Sequence, residues 1–191
     1  HKVRKLRVVF INSKGGGATT TLTARSVSVF GDSTRVPSLT VADFNPARGT
    51  LADRLDREST IDLRGMVDKA ETMEDFDSFG QHVGFTKYGV QVVSATSIIK
   101  KDAKLDGDSA RTALRLVNKH SRYQYYDTPN DITHDVSLAV FEEADVFVFT
   151  ANVGVHDSMR HLASSMDTLR EHGFGDKVDH SVVAISNIPE D

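Results

Sequence analysis

The stretch from Leu6 to Phe30 constrains this 191-residue chain more than any other. A β-branched apolar run, Leu6–Asn12 (LRVVFIN), passes through Ser-Lys-Gly-Gly-Gly-Ala-Thr into Thr20–Phe30, whose spacing is helical. A strand covered on both faces shows no alternation of polarity. A continuous apolar run followed at once by a helix therefore predicts a βα unit of a parallel sheet. Gly15, Gly16 and Gly17 carry no side chain and let the backbone approach a ligand closely. Backbone N–H groups in such a loop, with the partial positive charge of a helix N-terminus, suit a phosphate. The three glycines by themselves suit a plain strand–helix turn equally.

The pattern repeats along the chain. Ser38–Asp43 (SLTVAD), Val90–Ala95, Tyr123–Asp127, Asp145–Ala151 (DVFVFTA) and Ser181–Ser186 (SVVAIS) are short apolar runs of strand character. The aromatics of Arg122–Tyr126 fit a strand or a helix–strand junction. Ala110–His120 is predicted as a helix with Leu114 and Val117 inward, and Met159–His172 as another, stopped by Gly173. The helical stripe Met159, Leu162, Met166 and Leu169 is expected to pack in the core. Asp68–Tyr88, charged and poor in branched apolar residues, is expected to be a surface helix and loops. Together these give an α/β fold, doubly wound, with a mostly parallel sheet and helices on both faces.

Composition excludes several classes. With no Cys there are no disulfides, thiolate metal sites or iron–sulfur clusters, and a reducing cytoplasm is the expected home. The net charge of −4 argues against a globally basic nucleic-acid binder. No apolar run approaches the roughly 18–20 residues of a membrane span. None of the eight His residues forms a pair with metal-site context. The basic start, HKVRKLR, suits a solvated approach to the first strand or a linker, and less readily an acidic lipid or nucleic acid. A chain beginning at His1 is expected to be an excised domain or to carry a tag remnant.

Two acids close strands. Asp43 ends SLTVAD and Asp127 ends YQYYD, and in a doubly wound sheet the carboxyl ends of strands face the ligand crevice. A cation held there would account for a carboxylate at a strand end. The alternatives are turn chemistry for Asp43-Phe44-Asn45-Pro46 and a helix cap for Asp127.

Lys14-Gly15-Gly16, followed by Thr19-Thr20, resembles the deviant Walker A motif of the MinD/ParA family of P-loop ATPases, K-G-G-x-G-K-[ST]. The resemblance runs from Val8 to Asn187 and implies that family's fold. It implies that Lys14 is the signature lysine reaching across a homodimer to the partner's nucleotide. The loop Gly15, Gly16, Gly17, Ala18, Thr19, Thr20 and Thr21 would hold the phosphates of ATP or ADP. Thr20, Asp43 and Asp127 would hold Mg²⁺, with Asp127 opening a Walker B-like Asp-Thr-Pro. Asn45 would stand where the family places the acid that orients the attacking water. Asn187, after the last strand, would lie against the base, although Asn before Ile-Pro is also ordinary loop chemistry.

The departures weigh on catalysis. Ala18 replaces a Gly, Thr19 replaces the phosphate-binding Lys, and Asn45 is an amide that cannot act as a base. Losing the lysine contact removes about 1.5–3 kcal/mol, on the order of 10- to 100-fold in affinity. The altered loop resembles that of CpaE/TadZ-like members. DFNPARGTLADRL and the segment from Ala144 to Gly173 resemble actinobacterial MinD-like (EspI-like) members, some linked to type VII secretion. An electron-transferring relative of the nitrogenase iron protein is excluded by the absence of Cys. The resemblance implies one nucleotide-binding domain over residues 1–191, cut short at its C-terminal side. It also implies protein partners in a secretion, pilus or positioning machine. DNA or membrane contact would come only through parts outside this chain, with a cytoplasmic protein recruited to membrane or pole. Either a slow ATPase switch or a non-hydrolysing pseudo-ATPase scaffold fits these residues.

Overall fold

The computed structural model describes residues 4–12, 19–34, 38–46, 49–56, 61–73, 75–95 and 105–186, with the backbone alone for 32–34. The apolar runs become strands β1 (Leu6–Asn12), β2 (Leu39–Asp43), β4 (Gln91–Val93), β5 (Tyr123–Asp127), β6 (Val146–Asn152) and β7 (Val182–Ser186), with a short β3 (Gly84–Phe85) before β4. The helices are α1 (Thr19–Thr34), α2 (Leu51–Arg54), α3 (Leu63–Asp68), α4 (Phe76–Gly80), α5 (Gly107–His120), α6 (Asp135–Glu143), α7 (Ser158–Leu169) and α8 (Gly175–Asp179).

The strands form one sheet in the order β3-β4-β2-β5-β1-β6-β7. All pairings are parallel except β3 with β4. β1 lies between β5 and β6, so the chain leaves it toward one edge first and returns to the other. That reversal opens a crevice at the carboxyl ends of the strands.

Alternation along the strands divides the core into two layers. Leu39 and Val41 face Ala24 and Val27 of α1, with Leu51 and the rings of Tyr123 and Tyr125. Val9, Ile11, Ala42, Tyr126 and Phe149 face the other way, onto Ala113 and Val117 of α5, Val140 of α6 and Leu162 of α7. Leu114 and Val117 are buried, as their spacing predicts. At the amino end of the sheet, Arg7 clamps Glu143 at 2.6 Å and Asp145 at 3.0 Å.

Four details differ from the sequence pattern. α1 begins at Thr19 and runs on to Thr34. The 68–88 stretch holds α4, capped by Asp75 accepting from the Ser78 amide, and the two residues of β3, too few to show a period. Met159 is not core: it is 48% exposed, whereas Leu162 and Leu169 are buried. The reason is its place on the first turn of α7, where it lines an open pocket with Val153 and Val155. On β7, Val182, Val183 and Ile185 are exposed and not covered by any described residue. Gly173 does break the helix at φ 88°, and the chain resumes as α8.

Candidate functional site

The carboxyl ends of β1, β2 and β5 and the start of α1 converge on one place. Asp43 and Asp127 are register partners across β2 and β5, and Phe10 of β1 pairs with Asp127. Both carboxylates are almost fully buried. Thr20, in the first turn of α1, donates its hydroxyl to Asp127 Oδ2 at 2.6 Å. The first turn of α1 itself carries no acidic residue, which suits an anion near the helix N-terminus.

Asp43 is held from two sides. Its Oδ1 accepts from the Asn45 amide nitrogen at 3.1 Å and from Asn45 Nδ2 at 2.6 Å, and its Oδ2 accepts from Leu51 N at 3.2 Å. Burial pushes the Asp127 carboxyl up to about 7; the Asp43 charge adds to the shift and the Thr20 hydroxyl opposes it. Burial raises Asp43 too, against the Asn45 and Leu51 hydrogen bonds. Among the described residues, neither carboxylate has an ion-pair partner. Two buried, adjacent acids are costly as ions, and the Arg54 charge offsets only a small part of that cost at Asp127. A hard divalent cation offsets that cost, and the oxygen donors at hand (two carboxylates and a hydroxyl) fit Mg²⁺ completed by water and phosphate. No group of three or more His, Cys, Asp or Glu occurs among the described residues, so a cage made only of protein acids is not what the site offers.

Thr19 faces the other way. Its hydroxyl pairs with the Thr150 hydroxyl of β6 at 2.9 Å in a buried contact. Thr21 is half-buried. Lys14, Gly15, Gly16, Gly17, Ala18 and Asn187 lie outside the described residues. Three features escape a sequence reading. A Cβ on Gly49 would stand 1.9 Å from Asp43 Oδ2, so the glycine is what lets Asp43 lie where it does. Thr128 donates to the Phe10 carbonyl at 2.8 Å, tying the loop after β5 to β1. Asn12 Nδ2 donates to Asn130 Oδ1 at 2.7 Å. An isolated Gly two residues before α2 and an Asn closing an apolar strand are the only traces of these in the sequence.

Known structures share this fold. A ParA family ATPase from Chlorobium tepidum TLS superposes with a TM-score of 0.78 at 13% identity, over 99% of this chain and 77% of that one. The chain has the MinD/ParA P-loop fold. The MinD of the MinC:MinD cell division complex from Aquifex aeolicus gives a TM-score of 0.68 at 20% identity, covering 96% and 69%. MinD complexed with Mg-ADP from Pyrococcus horikoshii OT3 gives 0.69 at 14%, covering 94% and 68%. In sequence, the ESX-1 secretion-associated protein EspI of Mycobacterium tuberculosis is 22% identical over 189 residues. That match takes in 95% of this chain, which spans 27% of EspI. No family model matches the chain. The structure brings Thr20, Asp43, Asn45 and Asp127 together at the carboxyl end of the sheet.

Proposed function

We propose that the chain, over 1–191, is a MinD/ParA-like nucleotide-binding switch that binds Mg-ATP or Mg-ADP weakly, hydrolyses slowly or not at all, and positions or recruits a larger assembly. The observation that carries this is the Thr20–Asp127 hydrogen bond at 2.6 Å beside Asp43, at the mouth of a parallel sheet and the start of α1. Thr20, Asp127 and Asp43 hold Mg²⁺, while Gly15 to Ala18 with Thr19 and Thr21 hold phosphate. Lys14 crosses to a second copy, and Asn187 lies beside the base. Bound Mg-nucleotide supplies the positive charge that lets both buried carboxylates ionise and the phosphates that complete the cation's shell. Mg-ADP in the Pyrococcus neighbour supports this choice of ligand.

Two contacts support slow turnover. Thr19 is uncharged and spends its hydroxyl on Thr150. Asn45 spends both of its nitrogens on Asp43, and its carbonyl oxygen has no proton-accepting strength comparable to a carboxylate. The same contacts favour the second possibility, a non-hydrolysing scaffold acting through protein–protein contacts. The name of EspI supports a secretion assembly as the setting. No helix among the described residues is long and apolar enough to cross a membrane, which is compatible with a cytoplasmic protein recruited to a membrane or pole.

Calorimetric titration with Mg-ADP and Mg-ATP, paired with phosphate release, tests the proposal. Saturable binding with turnover far below about 1 s⁻¹, the low end for ordinary enzymes, is the expected result. No heat at millimolar nucleotide sinks nucleotide binding, and turnover above that rate sinks the scaffold. Thr19→Lys with Ala18→Gly is expected to tighten binding by about 10- to 100-fold.

A further inference from the structure

A second cavity, which the proposed switch does not use, lies between the loop after β5 and helix α7. It measures about 530 Å³ and is bounded by Asp131, Ile132 and Thr133 on one side and by His161, Ser165 and Thr168 on the other. That volume is within the roughly 300–1,000 Å³ of small-molecule sites.

Its floor carries a hydroxyl with nothing to bind. Ser165 is 9% exposed. A hydroxyl inside a helix can return its hydrogen to the carbonyl four residues back, as Thr168 does to Ser164 at 2.9 Å. The Ser165 hydroxyl makes no hydrogen bond among the described residues, and the residue lines the cavity. Buried polar groups are seldom left unmatched, so a hydroxyl placed in this way marks a position for a polar guest.

The walls set the charge of that guest. Thr133 donates its hydroxyl hydrogen to Asp131 Oδ1 at 2.7 Å and Thr168 donates its own to Ser164, so each keeps only lone pairs for a ligand. Asp131 is the one carboxylate among the described lining residues. The Thr133 hydroxyl and amide hold it below the usual carboxylate range. Both of those bonds go to Oδ1, and among the described residues Asp131 has no ion-pair partner. His161 accepts or donates according to its tautomer, and Asn130, whose Oδ1 is taken by Asn12, adds a donor at the rim. A negative charge with a surplus of acceptors calls for a cation that brings several N–H donors. Ile132 offers that cation's carbon skeleton an apolar wall.

We propose that the cavity between the loop after β5 and α7 binds a small organic cation, a guanidinium or primary ammonium compound, paired with Asp131 and met at the floor by Ser165. None of the residues assigned to Mg²⁺, phosphate or base takes part, so this site stands or falls apart from nucleotide binding.

The test is titration of the purified protein with butylguanidinium, butylammonium and the uncharged butylurea, followed by backbone amide NMR. At least one of the two cations is expected to bind saturably with a Kd at or below about 1 mM, shifting residues 131–133 and 161–168, while butylurea binds at least about 10-fold more weakly. Asp131→Asn keeps an acceptor for Thr133 and is expected to weaken cation binding by about 10- to 100-fold. Ser165→Ala is expected to weaken it by about 2- to 10-fold. Ser165→Leu, which fills the floor, is expected to abolish it; if that variant does not fold, the other two decide. Equal binding of butylurea, shifts confined to other parts of the chain, or unchanged affinity in Asp131→Asn overturns the proposal. An arginine-containing tripeptide with blocked ends, titrated in parallel, separates the sources of the cation. Tighter binding of the tripeptide than of butylguanidinium overturns the assignment to a small molecule, and weaker binding upholds it.

Discussion

At the scale of single residues, the site is governed by the cost of burying two acids side by side. A carboxyl whose folded value lies above its unfolded one binds its proton more tightly when folded, so its contribution is greatest at low pH and is lost as pH rises through the folded value. Burial places Asp127 in that class, at about 7. Without Mg²⁺, thermal stability is therefore expected to fall between about pH 4 and pH 7. Asp127→Asn should flatten that slope and raise the melting temperature at pH 8 by about 2–4 °C, while weakening Mg-dependent nucleotide binding by 10-fold or so. Scanning calorimetry at several pH values checks it; an unchanged slope in the variant would mean that another group titrates. Gly49 acts through shape. Gly49→Ala forces its methyl into Asp43 Oδ2 and Ala95, and is expected to cost about 1–3 kcal/mol in urea unfolding and to abolish binding. Asp43 and Asp127 were legible because each closes an apolar run. Gly49 was not, because its reason for being glycine is a carboxylate that only the folded chain brings against it.

At the scale of elements, continuous apolar runs located six of seven strands, and periodicity located α1, α5 and α7. β3 was invisible because two residues carry no period, and its antiparallel pairing with β4 depends on a turn through Gly89 at φ 79°. The Met159 stripe shows where periodicity misleads. A helix keeps its spacing along its whole length, but burial ends where its first turn projects beyond the layer beneath. Leu169→Ala, at the covered end of α7, is expected to cost about 2–5 kcal/mol, whereas Met159→Ala should stay within about 0.5 kcal/mol of wild type. Chemical denaturation of the two variants separates these outcomes, and equal losses would place Met159 back in the core.

For the whole molecule, the order β3-β4-β2-β5-β1-β6-β7 gathers residues from distant parts of the chain at one crevice. Motif order alone anticipated that gathering, since each acid and the glycine loop follow a strand. The tether from Asn12 to Asn130 is another matter: the two asparagines sit 118 positions apart and meet only because β1 and β5 are neighbours. Nucleotide-dependent pairing of two copies is expected to appear in sedimentation velocity with Mg-ATP and to vanish in Lys14→Ala; a dimer that persists in the variant rejects the cross-subunit role. A different kind of association follows from β7. It pairs with β6 alone among the described residues, and Val182, Val183 and Ile185 lie bare on its two faces. An uncovered apolar edge is a template for unwanted strand addition. This end of the sheet, rather than the crevice, is where turbidity on concentrating the protein would originate, and one charge on the strand, as in Val183→Lys, should keep the solution clear.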